Sequence, residues 1–260
     1  MFTSKRIYKG LRAVLAGPKP LRRRALLELT RVMAEAMGGH YVGDDYKLWL
    51  EDEAFVRRFK QLSPHNAFSM ERKYALRELA RSVVALDGVA AECGCYVGVS
   101  AWFIASVLNG TDFYLFDSFE GLSEPLASDR SPDGLPQWQR GDLSATESEL
   151  RHNLAEFKNI HVLKGWIPER FGDVAEQRFK LVHIDVDLFQ PTRDSLEFFY
   201  PRLVDGGLIV MDDYGFANCP GAFDAANAFM MDKPESIIHL PTGQGLVIKR
   251  GRVSEAPLEQ

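Results

Sequence analysis

The feature that most constrains this chain is a repeated alternation, beginning near Asp87, of short apolar runs with helix-patterned segments. Val89-Ala90-Ala91-Glu92-Cys93 precedes a helical stretch from Val99 to Leu108, and Phe113-Tyr114-Leu115-Phe116-Asp117 follows it. Ile160-His161-Val162-Leu163, then Lys180 to Asp185, a helix from Thr192 to Tyr200, and Gly207 to Met211 continue the series. Near-continuous apolar strands separated by helices need cover on both faces, which a mostly parallel sheet flanked by helices supplies. The spacing predicts a doubly wound, Rossmann-like α/β fold over residues 87–260. Ser236 to Leu240 and Gly245 to Lys249, joined by Pro241-Thr242-Gly243-Gln244, predict an antiparallel hairpin at one edge.

The first 86 residues have a different texture. Leu26, Leu27, Leu29, Val32, Met33 and Met37 recur at helical spacing before Gly38-Gly39, and further helices are expected at Leu48 to Leu62 and Ser69 to Leu86. Residues 1–86 are read as a basic arm and a helical cap or oligomerisation segment, with a homodimer or higher homo-oligomer as the expected assembly. Met1 to Arg24 hold eight basic residues (Lys5, Arg6, Lys9, Arg12, Lys19, Arg22, Arg23, Arg24) and no acidic one, whereas the other 23 basic residues face all 36 acidic ones. Two readings of the arm stay open: packing on a partner subunit, or weak contact with an anionic membrane surface. The acidic excess of the whole chain argues against a nucleic-acid partner. The N-terminus has no continuous apolar run of a secretory signal, and the three cysteines, Cys93, Cys95 and Cys219, lack paired spacing. A cytoplasmic protein, at most peripheral to the inner membrane face, is expected. Between Phe119 and Asp142 a Gly/Pro/Ser-rich loop carrying Trp138 is long enough to serve as a lid.

Three constellations carry chemistry. The first βα turn reads Glu92-Cys93-Gly94-Cys95-Tyr96-Val97-Gly98-Val99-Ser100. Its glycines allow a sharp turn and close ligand approach, and the helix that follows offers free amides and a positive dipole end. The acidic residue suits a ligand carrying an ammonium group. The missing third glycine of GxGxxG disfavours a nicotinamide-dependent oxidoreductase, and a purely structural turn is the plain alternative. Asp117 ends the second strand about 20 residues on, where doubly wound folds hold ribose hydroxyls. As a simple cap it would look the same, yet turn and carboxylate together point to a nucleoside. The third constellation is Val182-His183-Ile184-Asp185-Val186-Asp187-Leu188 with Val210-Met211-Asp212-Asp213-Tyr214. On an extended segment Asp185 and Asp187 face one side, and a neighbouring parallel strand brings Asp212 and Asp213 beside them. Four carboxylates so placed call for a cation, and hard oxygen donors suit Mg²⁺. Helix caps and solvated loop acids are the alternative. His183 reads as a core histidine, and Cys93 and Cys95 as packing residues.

The runs ECGCYVGVSA, YLFDSFEGL, LKGWIPERF, HIDVDLFQPTRDSLEFFYPRLVDGGLIVMDDYG and TGQGLVIKR together resemble the macrocin O-methyltransferase family, which includes mycinamicin and novobiocin sugar methyltransferases. The likeness covers about residues 88–250. It implies a class I methyltransferase fold with S-adenosylmethionine at the carboxyl ends of the first two strands and Mg²⁺ clamping a sugar diol. By resemblance, Asp185, Asp212 and Asp213 are metal ligands and Asp187 is the general base. Glu92 neighbours the methionine portion, Asp117 the ribose, and Gly165-Trp166 the adenine; Gly94, Tyr96, Gly98, Ser100, Ser118 and Asp185 complete the implied cofactor site. The implied acceptor is a sugar hydroxyl of a glycosylated metabolite or polysaccharide. An aromatic diol stacked on Trp138, Tyr214 or Phe216 is the rival acceptor, and a glycan-binding protein on a methyltransferase fold is the non-enzymatic rival. The arm has no counterpart in the likeness and the Phe119 to Asp142 loop diverges, so no particular acceptor is inherited.

Overall fold

The computed structural model describes residues 48–63, 69–130 and 138–251. The basic arm, the helix expected at Ala25 to Met37 and positions 131–137 of the expected lid lie outside the described residues. After a single helical turn at Leu48–Glu51, the helices are α1 (Glu53–Leu62), α2 (Met70–Ser82), α3 (Val99–Val107), α4 (Glu147–Asn153), α5 (Phe189–Phe199) and α6 (Pro220–Met230). The strands are β1 (Val89–Cys93), β2 (Phe113–Asp117), β3 (Ile160–Lys164), β4 (Phe179–Ile184), β5 (Leu203–Met211), β6 (Ile238–His239) and β7 (Gly245–Ile248). They form one sheet in the order β3-β2-β1-β4-β5-β7-β6. The first five strands run parallel, and β7 lies antiparallel between β5 and β6. This is the doubly wound sheet with an antiparallel edge hairpin that the alternation predicts.

Because successive strand residues point to opposite faces, each face of the sheet builds its own core. On one face Leu76 and Ala80 of α2 and Ala101, Ile104 and Ala105 of α3 cover Ala90, Phe113, Leu115, Leu181 and Val210. On the other, Phe116, Phe171 and Phe179 meet the Phe199 ring of α5 edge to face at centroid distances of 4.9–5.9 Å. Truncating a buried phenyl of this kind to alanine costs about 3–5 kcal/mol. Every residue of β4 is buried, as expected for a central parallel strand.

Several boundaries differ from expectation. The helix expected at Leu48 to Leu62 breaks at Asp52, and β5 starts at Leu203 rather than Gly207. Two helices were not anticipated. α4 opens on a capping box, in which Thr146 Oγ1 accepts from Glu149 N at 3.2 Å while Glu149 Oε2 accepts from Thr146 N at 3.0 Å. α6 opens with Pro220 in its first turn. The compact unit that contains the sheet begins at Ala54, and α2 lies within it. The physical reason is that Leu76 and Ala80 fill one of the sheet's two cores. Among the described residues no helix is long and apolar enough to cross a membrane.

The chain moves outward from β1 to β3 and then returns to place β4 on the other side of β1. That reversal leaves a crevice beyond the carboxyl ends of the strands, where ligands of such sheets bind.

Candidate active site

A cleft of about 1170 Å³ opens at this reversal. Of the expected cofactor residues, Gly94, Tyr96, Ser100, Asp117, Ser118, Gly165, Trp166 and Asp185 line it, whereas Glu92 and Gly98 do not. Gly94 has φ +78°, and a Cβ there would lie 1.9 Å from the Asp185 carbonyl oxygen, so no side chain is tolerated. Gly98, at φ +85°, starts α3, and its missing side chain lets Leu150 of α4 approach to 3.2 Å from the Cβ position. Its role is packing. Asp117 clamps the turn: Oδ2 accepts from Cys95 N at 2.8 Å and Tyr96 N at 3.0 Å, and Oδ1 accepts from Phe119 N at 2.7 Å. The loop after β3 is tied to the same strand end, because Gly165 N donates to Asp117 O at 3.0 Å.

Glu92 was expected beside a ligand ammonium, but it sits in mid-strand, fully buried, in register with His183 of β4. His183 Nδ1 lies 2.7 Å from Glu92 Oε1, and His183 Nε2 lies 3.2 Å from Asp212 Oδ1. The cleft opens beyond the strand ends, so a side chain within β1 pairs sideways with β4 instead of reaching it. Burial by itself would lower the His183 pKa. Hydrogen bonds to Asp212 and Glu92, with their charges, outweigh it and raise the value to about 9. Both ring nitrogens lie against carboxyl groups, as in a core histidine satisfied on both sides.

The four aspartates follow β4 and β5 but do not form one group. β4 ends at Ile184 and Asp187 adopts φ +60°, so the segment is not extended, and Asp185 and Asp187 take different hydrogen-bond partners. Asp185 Oδ2 lies 3.3 Å from Lys73 Nζ. Asp187 N donates to Asp213 Oδ2 at 2.8 Å, and Asp187 Oδ1 accepts from Cys219 Sγ at 3.5 Å. Asp212 is buried, with Oδ2 paired to Arg72 and, at 3.4 Å, to Lys73 Nζ, while Oδ1 accepts from Gln244 Nε2 at 2.8 Å and from His183. Burial opposes ionisation of Asp212, but Lys73, His183 and Arg72 overcome it and hold its carboxyl far below the usual range. Burial likewise opposes the Lys73 charge, which Asp212 and Asp185 more than restore, so its pKa is raised. Around Asp187, burial and then the charge of Asp185 push the carboxyl up to about 7. Asp213 is raised by burial and by Asp187. The two share their titration as a coupled pair.

Atoms able to hold a cation approach within 4.8 Å of one another in two groups, His183 with Asp185 and Asp212, and Asp187 with Asp213 and Cys219. The expected ligand set of Asp185, Asp212 and Asp213 is therefore divided between them. In the first group both ring nitrogens of His183 and both oxygens of Asp212 already have partners within the protein. In the second, a buried thiol replaces the hard oxygen that Mg²⁺ prefers. Mg²⁺ does not fit these residues as they stand.

Arg72, Lys73, Gln244 and Cys219 belong to this region although none was expected in the site. Adjacent basic residues on an amphipathic helix read as a solvated face. The only available signal was the excess of acid at the ends of β4 and β5, which demands cations without saying where they come from. Trp138 and Phe216 line the cleft, and Trp138 Nε1 donates to Asn218 O at 2.9 Å. Tyr214 is not among the lining residues; its hydroxyl donates to Asn227 Oδ1 at 3.1 Å.

The parallel sheet with an antiparallel β7, the glycine turn after β1 and the carboxylate ending β2 define a class I methyltransferase fold. The crystal structure of the calicheamicin methyltransferase CalS11 has a TM-score of 0.60 with this chain at 18% identity, covering 80% of this chain and 98% of that one. Residues 63–234 match the macrocin O-methyltransferase (TylF) family, and the chain belongs to that family. It is 28% identical over 172 residues to the 8-demethyl-8-(2,3-dimethoxy-alpha-L-rhamnosyl)-tetracenomycin-C 4'-O-methyltransferase of Streptomyces olivaceus, covering 61% of this chain and 66% of that protein. It is 25% identical over 170 residues to the mycinamicin III 3''-O-methyltransferase of Micromonospora griseorubida, covering 60% and 67%. The matched stretch thus spans about two thirds of these relatives' length.

Proposed function

We propose that this chain is an S-adenosylmethionine-dependent O-methyltransferase acting on a sugar hydroxyl of a glycosylated metabolite or polysaccharide. The observation that carries the reading is a single cleft lined by two unlike groups of residues. The first comprises Gly94, Tyr96, Asp117 and Trp166, and the second Asp187 and Asp213. The first suits a nucleoside, with a glycine turn that permits close approach and a carboxylate at the end of β2. The second offers a proton acceptor poised near neutral pH. The two relatives are O-methyltransferases of a rhamnosyl-tetracenomycin and of mycinamicin III, and the rhamnosyl group of the first favours a sugar acceptor for this family member.

S-adenosylmethionine, when bound, supplies an electrophilic methyl group. The chain's own task is to align an acceptor oxygen with that carbon, exclude water and take the proton. As the new C–O bond forms and the S–C bond breaks, the hydroxyl proton passes to an oxygen of Asp187. Hydrogen bonding to Asp213 and the 3.5 Å contact from Cys219 hold Asp187 in its left-handed conformation for this role. Non-glycine residues there cost of order 1 kcal/mol or more and need such support. No step is assigned to Mg²⁺, since two of the three carboxylates meant for it, Asp185 and Asp212, already meet Lys73, and Asp212 also meets Arg72 and His183.

Trp138 and Phe216 in the lining support an aromatic diol as a second acceptor class. Incubation with methyl-labelled S-adenosylmethionine and parallel panels of glycosides, sugar nucleotides and catechols tests both. Label transferred to a glycoside is the expected result. Label confined to catechols would replace the sugar reading, and failure to bind S-adenosylhomocysteine by calorimetry would refute the methyltransferase assignment.

A further inference from the structure

The acidic lining of the cleft already contains its own cations. Arg72 and Lys73 are neighbours on α2, more than a hundred residues away in sequence from the carboxylates they meet. Lys73 is only 6% exposed, and its ammonium lies 3.3 Å from Asp185 Oδ2 and 3.4 Å from Asp212 Oδ2, bridging the carboxylate just after β4 to the one just after β5. Arg72 pairs with the same oxygen of Asp212 and stacks its guanidinium 4.4 Å from the centre of the Phe216 ring. A lysine buried to this extent is tolerated only when opposite charge replaces its lost water. A dication entering between Asp185 and Asp212 would have to expel the ammonium and sit beside the guanidinium.

We propose that Lys73, supported by Arg72, is the resident counter-cation of this carboxylate group, so that the site works without a divalent ion. An ammonium has three donors. Two are directed to Asp185 and Asp212, and because Lys73 also lines the cleft, the third is available to an acceptor oxygen. In the proposed reaction the acceptor hydroxyl loses its proton to Asp187, while Lys73 stays protonated and donates a hydrogen bond to the oxygen that gains the methyl group. Lys73 thereby balances charge and positions the acceptor, and Arg72 holds Asp212 in place. The chemistry rests on the methyltransferase reading, whereas the occupancy of the site by Lys73 can be tested apart from it.

The test is a Mn²⁺ titration of the full chain, followed by the water-proton relaxation and electron paramagnetic resonance of the ion. The wild-type protein is expected to show no saturable site with Kd tighter than about 1 mM, the weak end of protein sites for hard cations. Lys73→Met, which keeps the length of the stem and removes the charge, is expected to gain one site at least roughly tenfold tighter. Adding Asp185→Asn to that variant is expected to abolish the gained site. A wild-type site tighter than about 1 mM, or a folded Lys73→Met protein that gains none, overturns the proposal. If circular dichroism shows that Lys73→Met has not folded, Lys73→Gln, which removes the charge but keeps a polar end that can donate to the carboxylates, replaces it in the same titration with the same two outcomes. Calorimetry with S-adenosylhomocysteine on the same wild-type sample separates the readings: loss of nucleoside binding refutes the methyltransferase assignment and leaves the Mn²⁺ result standing.

Discussion

Removing the Asp117 carboxylate should damage both the fold and the proposed nucleoside site in the cleft, by amounts that follow from its three hydrogen bonds. Two of them, from Cys95 N at 2.8 Å and Phe119 N at 2.7 Å, are partly buried, and the third, from Tyr96 N at 3.0 Å, is exposed. A hydrogen bond to a charged group contributes about 1.5–3 kcal/mol when water cannot replace it, and much less when it can. Water entering the cleft should rescue the Tyr96 amide in Asp117→Ala and leave the other two poorly served. The net loss of folding stability should then be about 2–4 kcal/mol. The same variant should bind S-adenosylhomocysteine at least roughly 30-fold more weakly, equivalent to about 2 kcal/mol, because the turn is loosened and the proposed ribose acceptor is gone. Urea unfolding and calorimetry read the two effects separately. Asp117→Asn keeps one accepting oxygen and should fall between wild type and alanine in both. Stability of Asp117→Ala within about 0.5 kcal/mol of wild type would refute the clamp, that being the usual range for a surface substitution. Lost stability with unchanged affinity would instead refute the ribose assignment.

Asp187 should impose an ascending pH profile. Its carboxyl is raised to about 7, so the basic form accumulates only above that value, and kcat should climb through neutrality with an apparent pKa belonging to the Asp187–Asp213 pair. Asp187→Asn should lower kcat by about 10²–10⁴-fold with S-adenosylhomocysteine affinity retained; a flat profile in the wild type would refute the base assignment. His183 should make the fold sensitive to alkali. With a folded value of about 9 against an ordinary 6.5, its contribution is fully present below pH 6.5 and disappears as pH rises through 9. The loss should be roughly 3 kcal/mol in urea unfolding, and His183→Gln should flatten that dependence. Equal slopes for variant and wild type would show that the imidazolium between Glu92 and Asp212 does not form.

What could be read from the linear chain was whatever depends on neighbours in sequence. The period of apolar residues depends on local geometry, so the alternation from Val89 to Met211 yields the parallel sheet, and the hairpin turn at Pro241 to Gln244 yields its antiparallel edge. The Gly94 turn and Asp117 were legible for the same reason, since each lies at a strand end that the pattern locates. Two local signals were present but unused: Thr146 with Glu149 as a capping box, and Pro220 at a helix start. The site's electrostatics were of another kind. Treating residues 185–187 as extended placed Asp185 and Asp187 on one side, but the left-handed Asp187 sends them to different partners. Glu92 reads as a ligand-facing acid until the register with His183 shows it sealed between two strands. Lys73 and Asp185 are 112 positions apart, and no pattern along a helix announces which distant carboxylate it will meet. Propensity and periodicity act over a few residues, whereas charge pairing and burial depend on which surfaces the packed sheet and helices bring together. The tertiary structure alone therefore decided that Asp185 and Asp212 meet Arg72 and Lys73 of the same chain.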